Sequence, residues 1–405
     1  MRRSGARGES PLVARLPAES AFVALMASRR DVDDEMLSRH AAERPMQWDS
    51  LVTLAARERA IAPLAHALHA LPSSAVPQDV QRRVDRFAMI ADFQLSTLHD
   101  RLGRVLGLLS SRGIEALLLK GAGLAYSAYD RPTDRPMGDI DLLVRPDRAA
   151  EAWELALTDG WMRRRDIAPE RSYEAHQHLP PLEDSDGLQM GLELHTALFT
   201  HQAPFQLPAS QIWARARLVQ VGAHTAYVPS VEDQLLHAAL HFAWSHEMTF
   251  GSWRTLSDVE RLTADGDVRW DAFVRAANEA HGGTCCYWTL RLARELVGAR
   301  VPAEVLEQLT PPLPARVSRS LMTYFASQAL PVLNTTTRSV SLSRALWTLG
   351  IRPRAQGHGA SRPWLDTEDW VRDEHGMKNA KGSPVQRFFR KGVGLLRMVI
   401  HLIGF

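Results

Sequence analysis

The hydrophobic period of this chain changes at Ile114, and that change limits the folds open to it. Before it, apolar residues recur at helical spacing: Trp48, Leu51, Leu54, Ala55, Ile61, Leu64, Ala65 and Leu68. Pro72 and Pro77 break the pattern. A helix is then predicted over 78–111, with Val84, Ala88, Leu95, Leu98, Leu102, Val105 and Leu109 on its apolar side and Gly113 at its end. Residues 114–119 are instead a nearly continuous apolar run, as in a strand buried on both faces.

Beyond that strand the pattern is mixed. A Lys120-Gly121-Ala122-Gly123 turn leads to a predicted short helix over 124–129 and a Pro- and Arg-rich loop over 130–136. A strand over 140–144 and a helix over 148–159 follow. An Asp-Gly pair at 186–187, between apolar stretches at 176–182 and 188–194, marks a hairpin. After Ser230 four further helical stripes appear, led by Leu235, Trp253, Trp270 and Trp288. The expected architecture is α+β: a small mixed sheet flanked by helical regions. Boundaries are drawn at 1–98 (helical), 99–215 (core), 216–330 (helical) and 331–405 (linker and tail).

Composition narrows the class. At 45% hydrophobic and 23% charged residues, the chain is neither disordered nor collagen-like nor a multi-span membrane protein. A net charge of +2 over 405 residues gives no surplus that demands a polyanion, so no DNA partner is expected. The two cysteines, Cys285 and Cys286, are neighbours and read as reduced, buried thiols of a cytoplasmic protein. No secretory leader or membrane-spanning run is read. Residues 386–405 form a basic, amphipathic segment, expected either to dock on the protein itself or to touch a membrane surface or partner.

The sharpest chemical feature is Arg135-Pro-Met-Gly138-Asp139-Ile-Asp141-Leu-Leu-Val144. Side chains alternate along a strand, so Asp139 and Asp141 share a face. Their mutual repulsion is relieved by a divalent cation between them, and Mg²⁺ takes such carboxylates together with substrate phosphates. An isolated pair of this kind is usually a solvated strand end; its surroundings argue otherwise. Of 48 basic residues only Lys120, Lys378, Lys381 and Lys391 are lysine. Lys120 alone falls in the first 377 positions, at the glycine turn where a compact ammonium suits a phosphate. Glu193 shares a strand face with Gly191 and His195, where pairing beside Asp139 and Asp141 adds a third carboxylate.

His237 and His241 stand four apart, but Ala238 occupies the position where a metalloprotease needs Glu, so a structural or substrate-contacting role is expected. Asp258 is a candidate to orient His241. His176 and His178 are read as partly exposed, and Asp184 and Asp186 as turn residues.

Taken together, Leu119-Lys120-Gly121, the Asp139/Asp141 strand and Glu193-Leu-His195 resemble the nucleotidyltransferase superfamily with the polymerase-β-like core. More narrowly they resemble the bacterial uncharacterised nucleotidyltransferase family, over roughly residues 45–300. The resemblance implies two Mg²⁺ ions (or Mn²⁺) held by Asp139, Asp141 and Glu193. It implies an NTP such as ATP contacted by Lys120, Gly121, Ala122, Arg135 and Gly138, and acceptor-side positions at His195, His241 and Asp258. Arg131 is the weaker phosphate candidate. Many superfamily members carry Gly-Ser in the first turn; Gly121-Ala122 has no hydroxyl. The expected activity is nucleotidyl transfer to a hydroxyl on a peptide, natural product, polysaccharide precursor or RNA. Phosphoryl transfer onto a peptide or small natural product, and a catalytically silent binding or toxin–antitoxin module, stand as alternatives.

Overall fold

A computed structural model describes residues 10–28, 34–164, 173, 176–185, 187–188, 190–201, 203–332 and 340–351. The basic segment at 386–405, Asp186 and the three late lysines lie outside them. Helices α1 (Ala18–Met26), α2 (Asp34–Glu43), α3 (Trp48–Arg57) and α4 (Ile61–Ala70) precede the long α5 (Gln78–Ser111), which matches its expected span. Strand β1 is only Leu117–Leu118, and α6 (Lys120–Ala125) starts at the lysine itself. The predicted glycine turn is therefore the first turn of a helix that begins four residues earlier than its apolar pattern suggests.

Next come β2 (Asp139–Leu143), α7 (Pro146–Thr158), β3 (Trp161–Arg163), β4 (Leu182–Asp184), β5 (Gly191–His195), α8 (Ala209–Ala214), β6 (Arg217–Val221) and β7 (His224–Val228). The C-terminal helices are α9 (Val231–Leu240), α10 (Ser252–Ala264), α11 (Trp270–Glu279), α12 (Gly283–Val297), α13 (Ala303–Leu309), α14 (Ala315–Ala329) and α15 (Val340–Ile351). A single π-helical turn, His241–Ser245, extends α9.

The strands form one mixed sheet in the order β3-β4-β5-β2-β1-β7-β6. β2 runs parallel to β5 and antiparallel to β1. The β2–β5 register sets Asp139 opposite Gly191, Asp141 opposite Glu193 and Leu143 opposite His195. β4 and β5 are antiparallel, as the hairpin signal required. Asp184 closes their turn, accepting the backbone N–H groups of Leu188 and Met190.

Beside a small cluster of Leu117, Leu119, Leu143, Leu198 and Ile212, two large cores divide the described residues. One joins the N-terminal and C-terminal helices, with Phe22, Leu51, Leu54 and Leu64 packed in the same cluster as Leu236, Phe242, Trp253 and Trp288. The regions drawn on either side of the sheet thus share one hydrophobic core. The other lies between the sheet, α7 and the second half of α5. Helix α5 belongs to both, through Val80, Val84 and Ala88 at one end and Leu95 to Leu109 at the other. Between them Met89, Ile90 and Phe93 stay exposed. Cys285 and Cys286 are unpaired and buried in α12, and burial pushes both thiols up.

The end of α3 breaks a local rule. The Ala60 N–H bonds the Ala55 carbonyl and the Arg59 N–H bonds that of Ala56, the Schellman pattern. The left-handed position of that motif usually holds glycine, yet here it is Arg59, at φ 58°.

Candidate active site

The site lies on β2 and β5 beside the start of α6. Asp141 is its centre: its Oδ1 accepts from Lys120 Nζ at 2.7 Å and from His195 Nε2 at 2.9 Å. Glu193 Oε2 lies 3.3 Å from His195 Nε2, 3.7 Å from Lys120 Nζ and 3.8 Å from His178 Nε2. One ligand atom each from Asp141, Glu193 and His195 fall within 4.8 Å of one another, close enough for all three to hold one metal ion. The parallel register causes this convergence, because it sets Asp141 and Glu193 side by side and His195 one step further along the same face.

The charges are interlocked. Burial works against an ionised Asp141, but the Lys120 ammonium and the His195 bond outweigh it and hold the carboxyl well below its ordinary value. Burial likewise opposes a charged Lys120, yet Asp141, Glu193 and Asp139 raise it. His195 is raised because its bonds to Asp141 and Glu193 exceed the cost of burial. Asp139 differs. It keeps solvent contact. The protein massed around its carboxyl and repulsion from Asp141 nonetheless raise it to about 6, against the pull of Lys120.

Other expected residues take different places. Arg135 is buried, its Nε 2.6 Å and Nη2 2.7 Å from the two oxygens of Asp258, and it also donates to the Pro136 carbonyl. Tyr129 donates to Asp258 as well. Asp258 therefore fastens α10 to the loop before β2 and does not pair with His241. Gly121 and Ala122 are buried; a Cβ on Gly121 would meet Met137 Cβ at 2.9 Å. Their smallness serves helix–sheet packing. His241 packs against His246, with ring centroids 4.3 Å apart, and burial holds it well below its ordinary value. It lines a cavity of about 60 Å³ with Lys120 and His237. The buried Nε2 of His237 has no hydrogen-bond partner among the described residues.

Two residues escaped the sequence reading. Arg59 lies so close to Gly138 that a Cβ there would strike its guanidinium. Arg254, on α10, is pushed down to about 10 by burial and by the charges of Arg135 and Arg59, against Asp139 and Glu58. Both come from outside the sheet, so no local motif marks them. The one signal was at Arg59: α3 ends there without the glycine its backbone favours. Gly138 and Arg59 border a groove of about 1140 Å³, which continues past Arg131, Phe87 and Ile90.

A mixed sheet with paired aspartates at the head of one strand, and a carboxylate and an imidazole on the parallel neighbour, defines an α+β nucleotidyltransferase-like fold with a candidate metal centre. The chain belongs to the family described as uncharacterised nucleotidyltransferase, which matches residues 44–298 and so takes in both Arg59 and Arg254 as well as the sheet. Among curated proteins no match is found.

Proposed function

We propose that the protein is a divalent-metal-dependent nucleotidyltransferase that moves a nucleoside monophosphate from an NTP to an acceptor hydroxyl. The observation that carries this reading is the convergence of Asp141, Glu193 and His195 beside Asp139 within the family-matched region.

The donor set fits a hard or borderline divalent ion. Two or three carboxylates suit Mg²⁺, and the imidazole of His195 adds a nitrogen that Mn²⁺ accepts readily. Asp141, Glu193 and His195 would hold the ion, with Asp139 beside them. Bound there, it supplies charge neutralisation at the α-phosphate and a lower pKa for the acceptor hydroxyl. Lys120 currently donates to Asp141. Released from that carboxylate, its ammonium reaches phosphate oxygens on the same side of the sheet. Glu193 would hold the ion through one carboxylate oxygen, and its other oxygen takes the hydroxyl proton as the acceptor oxygen bonds the α-phosphorus. The bond from that phosphorus to the bridging oxygen breaks, and pyrophosphate leaves.

The test is NTP binding and turnover with Mg²⁺ or Mn²⁺, comparing wild type with Asp141→Asn and Glu193→Gln. Binding is expected to require the ion, and pyrophosphate release to drop at least a hundredfold in both variants. Full turnover by Asp141→Asn would place the chemistry elsewhere. Intact mass of the product separates this reading from its rival: a nucleoside monophosphate added means nucleotidyl transfer, a bare phosphoryl group means a kinase-like reaction.

A further inference from the structure

Arg59 and Arg254 come from distant parts of the chain, one just past the end of α3 and the other on α10, and each feels the other's charge. Arg59 lies against Gly138, next to Asp139, and the charge of Arg254 also acts on Asp139. The third guanidinium nearby, Arg135, is matched by both oxygens of Asp258. Arg59 and Arg254 have no such carboxylate. Among the described residues neither forms an ion pair; the Arg254 guanidinium lies over the Phe250 ring, 5.6 Å from its centroid, and its buried Nε has no hydrogen-bond partner. Besides Asp139, the acid charge that acts on Arg254 is Glu58; its Oε2 accepts the Trp253 N–H, and its Oε1 lies 3.9 Å from Arg57 Nε without a hydrogen bond. His246, which also faces Arg254, is held to about 4 by burial and by that arginine, and so is neutral at pH 7.

Two like charges held together without matching anions are unfavourable unless a ligand supplies the anions. Arg59 also occupies a left-handed helix-end position that costs least for glycine, and such strain clusters where a side chain is needed for a task. Gly138 completes the case: any side chain there would expel the Arg59 guanidinium from its seat.

We propose that Arg59 and Arg254 form a clamp for the β- and γ-phosphates of the nucleotide, a site that rests on the nucleotidyl-transfer reading. Planar guanidinium forks match phosphate oxygens in pairs. The geometry sets the order along the ligand. The α-phosphate lies inside, by Asp141, Glu193 and His195; the chain of phosphates then passes Asp139 and ends outward at Gly138, where the groove opens. The clamp holds the pyrophosphate as it becomes the leaving group.

Calorimetric titration with inorganic tripolyphosphate, ATP and AMP, each with Mg²⁺, tests this directly. Wild type is expected to bind tripolyphosphate and ATP and to bind AMP far more weakly. Arg59→Asn, in a residue that tolerates the left-handed backbone, is expected to lose at least tenfold for tripolyphosphate and ATP with AMP unchanged and no fall in Tm. Arg254→Gln is expected to lose as much, and Arg254→Lys, which keeps the charge without the fork, to lose less. Arg104→Gln, remote and paired with Asp159, is the unaffected control. Wild-type affinities for tripolyphosphate and ATP in folded Arg59→Asn and Arg254→Gln overturn the clamp. If ATP still binds in a metal-dependent way in those variants, the nucleotidyltransferase reading stands without it. If wild type binds no nucleotide at all, both fall.

Discussion

At the residue scale, Asp139 and Arg59 both stand in settings that cost the empty protein stability. A carboxyl raised from 3.8 to about 6 favours the folded state while protonated. That contribution is present at pH 4 and disappears as pH rises through about 6, so at pH 7 the ionised Asp139 is a liability. Asp139→Asn is therefore expected to stabilise the metal-free protein at pH 7 by about 1 kcal/mol, after allowance for solvent screening. The gain is read as a higher Tm in chelator at pH 7 and should vanish at pH 4; an equal shift at both would refute this account. The same protonation should weaken metal binding as pH falls through 6. Arg59 sits at φ 58°, so Arg59→Gly should raise stability by about 0.5–1 kcal/mol by denaturant titration while removing the clamp. Its role was illegible in the sequence because a helix end is a local pattern, whereas its neighbour Gly138 is far along the chain.

At the element scale, much of the site could be read from periodicity. Alternation along 139–144 and 188–195 gave the shared face of Asp139 and Asp141 and the pairing partner Glu193, and the β2–β5 register realises both. The start of α6 was not legible. A Lys-Gly-Ala-Gly run reads as a loop by propensity, yet tertiary packing makes it helical. The reason is in Gly123: a Cβ there would lie 2.5 Å from the Leu118 carbonyl oxygen, a backbone atom that cannot yield. Gly123→Ala is expected to cost about 1–3 kcal/mol. Because it would shift α6 and with it Lys120, metal-dependent ATP binding should fall too. A variant that kept both stability and binding would show that the close approach of α6 to β1 is dispensable.

At the scale of the whole molecule, the pairing of Asp258 with Arg135 joins the helical part to the sheet. Sequence reading placed these two residues in separate roles because their partnership spans 123 positions. Asp258→Ala would strand a buried guanidinium and is expected to cost about 3–5 kcal/mol. Arg135→Met with Asp258→Leu should recover most of that, and if phosphate is held by Arg59 and Arg254 the double variant should still bind tripolyphosphate. Loss of binding in a folded double variant would return Arg135 to the ligand. No described helix is long and apolar enough to cross a membrane.

Helix α5 has a consequence for how such a protein can be handed down or rebuilt. Its 34 residues make a rod about 50 Å long whose two ends are rooted in different cores. A cut between 98 and 99 would sever that rod in mid-span and leave each half a marginal helix with an orphaned apolar side. The sheet cannot be lifted out as a cassette, nor the helical part exchanged for another, without transplanting the rod entire. Recombination within this family should therefore tolerate junctions before Gln78 or after Ser111 and reject those between.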